Sequence, residues 1–268
     1  MPIPITKLTP ARISRYLRGR WREFVRTTEY DAELHRFITS GPTEQRELRR
    51  KLAAAFVDIS TKIRCSHAES DILRISDFVL RLPKELPGDI VECGVFKGGA
   101  SCKLSMVAEA TGRRLLLCDS FQGFPEGSGK EDSRIPTPAT YQGTLEEVRQ
   151  NLNLYGNSSS AEFFPGWLQD TLPPMRAASR PLVAVFEDTD LYDAAAVCIQ
   201  NLYPLLQPGG RIFTHDVIFP AALAAYTDRS VWTSIDEVRP PKLAIVKKAI
   251  FRRTGSLAYV QKPKANSL

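Results

Sequence analysis

The sequence predicts an α/β protein, in which an N-terminal helical cap precedes a doubly wound parallel sheet that ends in an antiparallel hairpin. Two patterns predict this fold. Apolar residues recur at helical spacing up to residue 83, whereas short β-branched or leucine-rich runs alternate with amphipathic stretches from Asp89 onward. Alternating strands and helices build a parallel sheet with helices on both faces. We therefore expect a cap or lid at residues 1–83 and a core domain at residues 84–268.

The cap is predicted to be a set of helices. Helical patterns cover three stretches, at residues 32–38, 43–63 and 69–82. Pro83 and Pro87 end the last of them. The basic stretch at residues 7–26 also has helical spacing. It is typical either of a targeting segment or of a surface helix that covers the site or a neighbouring subunit, and we favour the surface helix.

The core is predicted to contain five parallel strands and a final hairpin. The strands lie at residues 90–93, 115–119, 162–164, 182–186 and 211–214. Helical spans lie between them at residues 99–111, 144–155 and 192–206. A Pro-Gly-Gly turn at residues 208–210 leads into the fifth strand, and β runs at residues 243–248 and 256–261 predict the hairpin. The polar stretch at residues 126–140 is typical of a mobile loop over the sheet.

Composition excludes several classes of protein. The 268 residues are 43% hydrophobic and 25% charged, without the roughly 20 unbroken apolar residues of a membrane span or the apolar core of a secretory signal. We therefore expect a cytoplasmic protein. The net charge of +6 comes mainly from the two ends and forms no stripe with aromatic residues, so we expect no nucleic-acid partner. The five cysteines lack CxxC spacing, which predicts reduced, buried thiols rather than disulfides or a zinc site.

Ligands of an open parallel sheet bind beyond the carboxyl ends of its strands, so the candidate site residues are those that follow each strand. The first strand leads into Glu92, Gly94, Val95, Gly98, Ala100 and Ser101. Glu92 can accept hydrogen bonds from an ammonium group, while the free N–H groups of the helix that opens at Gly98 suit a carboxylate. The stretch lacks the Gly-x-Gly-x-x-Gly pattern of dinucleotide sites, which disfavours a pyrophosphate ligand.

The second and third strands supply candidates for binding a nucleoside. Asp119 ends the second strand and is followed by Ser120 and Phe121, and a carboxylate at this point can accept both ribose hydroxyls. Gly166 and Trp167 follow the third strand, and Trp167 could either flank an adenine or close the core. An acceptor for an ammonium group and an acceptor for a ribose, on consecutive strands, together describe S-adenosylmethionine.

The fourth and fifth strands end in acidic residues and a histidine. The fourth ends in Glu187 and Asp188, and the fifth in His215 and Asp216. Two carboxylates and an imidazole from adjacent strand ends can hold a divalent cation with open positions. In the alternative, Asp216 caps the following helix and His215 hydrogen-bonds Asp188 without metal. We expect Asp188 to face the cation, Asp190 to support it or cap the next helix, and Glu187 and Asp193 to be solvated.

These residues resemble the macrocin O-methyltransferase family between about Pro87 and Asp216. The resemblance rests on PGDIVECGV at residues 87–95 with GGAS at 98–101, DSFQGFP at 119–125, GWLQDTLP at 166–173, and DTDLY at 188–192 with LYP at 202–204 and PGG at 208–210. It implies a class I methyltransferase, Rossmann-like fold. It also implies S-adenosylmethionine as cofactor, a magnesium ion, and methylation of sugar hydroxyls on macrolides and aminocoumarins, a step of antibiotic biosynthesis.

The chain departs from this family at the metal site. The family has an Asp-Asp pair at the end of the fifth strand, and His215 stands in the position of the first aspartate, as in a less characterised branch of the family. An imidazole ligand favours Mn²⁺, Fe²⁺, Co²⁺ or Zn²⁺ over Mg²⁺. The family's sugar-binding loop also usually carries a histidine, which is missing from residues 135–144.

The residues and the resemblance together predict a metal-dependent O-methyltransferase of a sugar-bearing secondary metabolite. Its acceptor hydroxyl would lie at Asp188, His215 and Asp216, with Asp188 or His215 taking the proton. A second hypothesis is methylation of a phenol, carboxylate or amine with His215 as base and no metal. A third is a non-catalytic nucleoside-binding module. We also expect a homo-oligomer, most simply a dimer that forms through the cap.

Overall fold

The computed structural model describes residues 30–128, 141–247 and 256–264. Three predicted features therefore lie wholly or mainly outside the described residues: the basic stretch at residues 7–26, the polar loop up to residue 140 and the link within the final hairpin. No helix in the described ranges has the length and apolar character needed to cross a bilayer.

The protein is built on one seven-stranded mixed sheet. Its strands are β1 (Asp89–Cys93), β2 (Leu115–Asp119), β3 (Ala161–Pro165), β4 (Leu182–Glu187), β5 (Leu206–Thr214), β6 (Ala244–Lys247) and β7 (Leu257–Gln261). They lie in the order β3-β2-β1-β4-β5-β7-β6, in which the first five are parallel and β7 is antiparallel to both β5 and β6. The predicted doubly wound sheet and its antiparallel hairpin are confirmed.

Nine α-helices are present in the described residues. They are α1 (residues 30–39), α2 (Arg46–Lys62), α3 (Glu69–Leu80), α4 (Gly99–Ala110), α5 (Leu145–Tyr155), α6 (Leu168–Ala177), α7 (Tyr192–Leu202), α8 (Pro220–Ala225) and α9 (Arg229–Thr233). The helices expected within residues 32–82 are confirmed as α1, α2 and α3. The buried faces of α2 and α3 share one hydrophobic core with α4 and β4, through residues such as Phe56, Ile72, Leu104 and Phe186. The division into a cap and a core domain at residue 83 stays a prediction.

Two helices differ from the sequence-based expectation, and prolines are involved in both. Helix α6 was not among the predicted helices. It contains Pro173 and Pro174, which remove two helical N–H donors, yet it forms because Leu172 and Met175 are buried in the second hydrophobic core. Helix α7 ends at Leu202 rather than at residue 206, because Pro204 cannot continue the helix.

Strand β5 begins earlier than expected, at Leu206, and includes the Pro-Gly-Gly segment that was expected to be a turn. The register with β4 shifts in this region, and Gly209 adopts a φ of +84°. The segment still pairs with the strand's other neighbour, because Gly209 N–H donates to the carbonyl of Lys262 at 2.9 Å. An irregular strand of this kind tolerates a proline, whereas a regular central strand does not.

The first three helices are joined by an arginine with no exposed side-chain surface. Arg49 on α2 donates from Nη1 to Asp77 Oδ1 on α3 at 2.6 Å and to the carbonyl of Phe37 on α1 at 2.8 Å. Asp77 also accepts hydrogen bonds from Arg81 and Ser40. Burial by itself would raise the pKa of Asp77, but the hydrogen bonds from Arg49, Arg81 and Ser40 outweigh it and lower the pKa. The ionised carboxylate therefore stabilises the helical cap.

Asp77→Asn is expected to destabilise the protein by about 3–5 kcal/mol at pH 7, because it leaves a buried guanidinium without its counter-charge. Urea denaturation measures this loss, and Glu47→Gln, which affects only exposed ion pairs, is expected to cost less than about 0.5 kcal/mol. The lowered pKa of Asp77 means that its contribution is present above the carboxyl pKa of the unfolded chain and is lost as pH falls through the folded value. The difference between wild type and Asp77→Asn should therefore shrink in acid, and a difference independent of pH would contradict the assignment.

Candidate active site

A cavity of about 530 Å³ lies at the carboxyl ends of β1, β2 and β4, where an open parallel sheet binds its ligands. Its wall includes five of the predicted site residues, Gly94, Asp119, Ser120, Trp167 and Asp188. The other predicted residues are not among those that line the cavity. Three aromatic residues that the sequence did not single out, Phe96, Phe124 and Tyr141, also line the cavity.

Glu92 is buried at the end of β1, with 1% of its surface exposed. Its Oε2 atom has no hydrogen-bond partner among the described residues. Burial raises the pKa of Glu92 well above the usual range, and the negative charges of Asp188 and Asp119 raise it further. A cationic group placed here would supply the missing donor and relieve the repulsion, as expected for a carboxylate that binds an ammonium group.

Asp119 connects the loops that follow β1 and β2. Its Oδ2 accepts from the backbone N–H of Val95 and its Oδ1 from that of Phe121, both at 2.6 Å. Burial raises the pKa of Asp119 and these backbone donors lower it, with a net rise. Each carboxylate oxygen can accept a second hydrogen bond, so the side chain can hold both loops and still accept ribose hydroxyls. Val95 and Phe121 thus shape the site through their backbone, with side chains that are buried.

Gly94 allows the ends of β1 and β4 to approach each other. Its φ is +87°, and a Cβ added to it would lie 2.1 Å from the carbonyl oxygen of Asp188. From the sequence, we predicted that Gly94 lets a ligand approach the backbone. In the structure the close neighbour is the backbone that carries Asp188, and Gly94 is required for that contact.

The two glycines at the start of α4 have different neighbours, Val148 of α5 for Gly98 and Cys65, between α2 and α3, for Gly99. Gly98 is the N-cap residue with a φ of +79°, and a Cβ added at Gly99 would lie 2.3 Å from Cys65 Sγ. Ala100 and Ser101 are buried in the first turn. The sequence predicted that the start of this helix binds a carboxylate, and that role stays a prediction.

The five cysteines are free; Cys65 is half-buried and the other four are buried.

Gly166 and Trp167 join β3 to α6 at the edge of the cavity. Gly166 donates its N–H to the carbonyl of Asp119 at 2.9 Å, which fixes the turn next to the second strand. Trp167 is the N-cap residue of α6 and lines the cavity while remaining partly exposed. Its indole is therefore available to a ligand as well as to the core.

The structure brings Asp188, His215 and Asp216 together at the ends of β4 and β5. Each offers one ligand atom, and the three atoms lie within 4.8 Å of one another. Asp216 is fully buried, and its Oδ1 has no hydrogen-bond partner in the described part of the chain. One imidazole, two carboxylates and an oxygen without a partner fit a divalent cation with open positions.

His215 has carboxylates on both sides of its ring. Nδ1 lies 3.3 Å from Asp188 Oδ1, and Nε2 lies 3.5 Å from Asp71 Oδ2 of α3. Burial by itself would lower the pKa of the imidazole, but the charges and hydrogen bonds of Asp188 and Asp71 outweigh it, so the pKa lies well above the usual value. Asp71 was not identified from the sequence, because its position on a helix far from the strand ends gives no local signal.

One alternative from the sequence was that Asp216 caps the following helix, and the structure does not bear this out. Its Oδ2 accepts from the backbone N–H groups of Thr189 and Asp190, at 3.2 and 2.8 Å, and so holds the loop after β4. Glu187 is also different from expectation, since it is fully buried rather than solvated. It accepts hydrogen bonds from Tyr226 at 2.8 Å and from Thr189, so its charge supports the loop.

Asp190 lies on the cavity wall in a left-handed conformation, with a φ of +61°. This conformation is uncommon outside glycine and is found at functional sites. Burial raises the pKa of Asp190 to about 7, and the negative charge of Asp188 contributes to the rise. The structure thus adds Asp190 to the acidic groups that face the cavity, whereas the sequence predicted that it supports Asp188 or caps the next helix. Asp193 is exposed, as predicted.

The family comparison agrees with the sequence motifs. A family model described as macrocin O-methyltransferase (TylF) matches residues 74–251, well over half of the chain. The demethyldecarbamoylnovobiocin O-methyltransferase of Streptomyces niveus is 30% identical over 201 residues, which cover 70% of this chain and 75% of that protein.

Two further relatives match over shorter segments. The 8-demethyl-8-(2,3-dimethoxy-alpha-L-rhamnosyl)-tetracenomycin-C 4'-O-methyltransferase of Streptomyces olivaceus is 36% identical over 53% of this chain and 58% of its own length. The mycinamicin III 3''-O-methyltransferase of Micromonospora griseorubida is 31% identical over 54% of this chain and 62% of its own length. The chain thus spans about three fifths of these two relatives.

Solved structures share the fold. The O-methyltransferase NovP superposes with a TM-score of 0.60 and 26% identity, over 72% of this chain and 79% of that one. The calicheamicin methyltransferase CalS11 superposes with a TM-score of 0.53 and 18% identity, over 87% and 91%. At 18% identity the second likeness shows the fold alone.

Gly94→Ala tests whether the close approach of β1 and β4 sets the site. Gly112 is a matched control, because its φ of +65° is also left-handed but nothing lies within 4 Å of an added Cβ. Gly112→Ala is expected to cost about 1–2 kcal/mol from backbone strain alone. Gly94→Ala must also displace the Asp188 carbonyl. Its loss of unfolding free energy, measured by urea denaturation, should therefore clearly exceed that of the control. Equal losses would show that the contact is not required.

Proposed function

The chain belongs to the macrocin O-methyltransferase family, and we propose that it transfers the methyl group of S-adenosylmethionine to a hydroxyl of a sugar on a secondary metabolite. One observation carries the proposal. Asp119 and Asp188 line one cavity at the ends of β2 and β4, and Asp188 also lies with His215 and Asp216 in a cluster that could hold a divalent cation. The names of the relatives describe O-methyltransferases, and one of those names specifies a rhamnosyl compound.

The cofactor half of the site would use residues of the first three strand ends. The unpartnered Oε2 of Glu92 suits the ammonium group, Asp119 suits the ribose hydroxyls, and Trp167 offers a ring face to the adenine. S-adenosylmethionine supplies a methyl group on a sulfonium centre, which an oxygen nucleophile attacks in line. The roles of Gly98, Ala100 and Ser101 in holding its carboxylate belong to the same proposal.

The metal half would use Asp188, His215 and Asp216. A bound divalent cation acidifies an acceptor hydroxyl and orients it toward the methyl group. The three residues fit such an ion because their ligand atoms converge and Asp216 Oδ1 lacks a partner. The imidazole of His215 favours Mn²⁺ or Co²⁺ over Mg²⁺, since magnesium prefers an all-oxygen shell.

A carboxylate or the imidazole would take the proton of the acceptor hydroxyl. Asp188, His215 and Asp190 are the candidates, because all three converge at the ends of β4 and β5. Asp188 and Asp190 line the cavity itself, whereas His215 is not among its lining residues. Asp190 has the advantage that it is not needed as a ligand, so its carboxyl group can receive the proton while the other two hold the cation.

The charge of the cavity favours a neutral or amine-bearing acceptor. Its described lining contains carboxylates and no lysine, arginine or histidine; the acidic residues are Asp119, Glu126, Asp188, Asp190 and Asp193. A nucleoside diphosphate sugar carries a pyrophosphate that would repel this lining. A sugar already attached to its aglycone carries no such charge, so we propose that methylation follows sugar transfer.

A second candidate is metal-free methylation of a phenol, a carboxylate or an amine. One contact favours it, because His215 and Asp188 already partner each other at 3.3 Å. The acidic lining opposes a carboxylate acceptor and leaves the phenol and the amine.

An acceptor panel with methyl-labelled S-adenosylmethionine tests the proposed function. We expect methyl transfer to neutral or amine-bearing glycosides, and a kcat/KM for nucleoside diphosphate sugars at least about tenfold lower because of charge repulsion. A panel of matched phenols and amines without sugar is the control. Transfer only to non-sugar compounds would support the second candidate. Calorimetric binding of S-adenosylhomocysteine without transfer to any acceptor would instead support a binding module.

Metal removal tests the metal half. Chelation should abolish transfer, and Mn²⁺ or Co²⁺ should restore it at lower concentration than Mg²⁺. Asp216→Asn keeps an oxygen that accepts from the backbone N–H groups of Thr189 and Asp190, but an amide binds a metal ion more weakly than a carboxylate. The metal concentration for half-maximal rate should therefore rise at least about tenfold. Glu109→Gln, an exposed change on α4, should leave that concentration unchanged. Full activity in chelated wild type would refute the metal requirement.

A further inference from the structure

Asp71 connects the N-terminal helices to the candidate active site. It lies in the first turn of α3, with no exposed surface, and its Oδ2 is 3.5 Å from His215 Nε2 at the end of β5. This distance is within the reach of an ion pair and at the outer limit of a hydrogen bond. A residue of the helical cap thus contacts a residue of the proposed metal site.

Few groups compensate the buried carboxylate of Asp71. Its Oδ2 accepts from the backbone N–H of Ser256 at 3.1 Å, and its Oδ1 has no hydrogen-bond partner in the described ranges. A buried carboxylate without sufficient donors costs several kcal/mol. The imidazole of His215 is the cationic or N–H-bearing side chain that faces Asp71 in the structure, so the pairing stabilises both residues.

The two ring nitrogens of His215 face different carboxylates. A carboxylate accepts hydrogen bonds and does not donate them, so Asp71 pairs with Nε2 only when Nε2 carries a proton. Nδ1 is on the other side of the ring and faces Asp188 Oδ1 at 3.3 Å, so it is the nitrogen that a cation held by Asp188 would bind. A metal-binding histidine donates one ring N–H to such a partner and binds with the other nitrogen.

We propose that Asp71 is a positioning residue, which accepts the Nε2–H of His215 and so directs Nδ1 toward Asp188 and the reacting groups. The effect on methyl transfer rests on the proposed function, whereas the position of the proton does not. Asp71 reaches the site from α3, while every other residue of the metal cluster comes from a strand end. The helical cap thereby contributes a side chain to the proposed metal site.

The experiment is NMR of protein labelled with ¹⁵N-histidine. The chain has three histidines, and the ring signals of His215 are those that disappear in His215→Gln. We expect a proton on Nε2 of His215 that is protected from exchange with water in wild type. Asp71→Asn should keep it, because the amide oxygen still accepts, and Asp71→Leu should lose it. Ser76→Ala is the matched control, since Ser76 is buried on the same helix and its hydroxyl has no partner among the described residues.

The rates of methyl transfer should follow the same order of variants. Asp71→Leu should lower kcat for a glycoside acceptor by about 10–100-fold with an unchanged Kd for S-adenosylhomocysteine, and Asp71→Asn should recover part of the rate. An Nε2 without a proton in wild type would overturn the inference even if Asp71→Leu fails to fold. An Nε2–H signal that is unaltered in Asp71→Leu would overturn it as well. A protected proton in a protein that methylates no acceptor would support this inference and contradict the proposed function.

Discussion

The burial of several carboxylates at one edge of the sheet is the constraint on which the rest of the site depends. Each of them needs donors or a positive partner, since an unpaired buried charge costs several kcal/mol. Backbone N–H groups satisfy Asp119, and Tyr226 and Thr189 satisfy Glu187. In the described part of the chain, Oε2 of Glu92 at the end of β1 and Oδ1 of Asp216 after β5 have no hydrogen-bond partner. These are the two places where a cationic amino acid and a metal ion would bind, so the ligands complete an arrangement that the protein leaves deficient in positive charge.

The same carboxylates hold the loops that build the cavity. Asp119 joins the loops after β1 and β2, and Asp216 holds the loop after β4 through the backbone of Thr189 and Asp190. Gly94 then permits the first loop to lie against the backbone of Asp188. The groups that would bind ligands are therefore also those that fix each other's position. Such sites are preorganised, because the side chains need little rearrangement when a ligand enters.

The rule that ligands bind at the carboxyl ends of parallel strands explains how far the sequence predicted this site. Asp188, His215 and Asp216 could be placed together because parallel strands end at one edge, and the structure confirms that they converge. Patterns along the chain did not predict the features that tertiary packing determines. Helix α6 forms in spite of two prolines because its apolar face is buried, and Glu187 is buried because Tyr226, 39 residues away, supplies a donor. Asp71 reaches the site only through the packing of α3 on the sheet, which no spacing along the chain reveals.

The contact between residues 71 and 215 also explains why the family's aspartate pair would not suit this chain. An aspartate at position 215 would place a second carboxylate beside the buried Asp71, which accepts a single backbone N–H among the described hydrogen bonds. Two buried carboxylates facing each other repel, and one of them would have to be protonated. A histidine replaces that repulsion with an N–H donor and still offers a nitrogen to a metal ion. The histidine at position 215 therefore suits the buried aspartate at position 71 better than a second aspartate would.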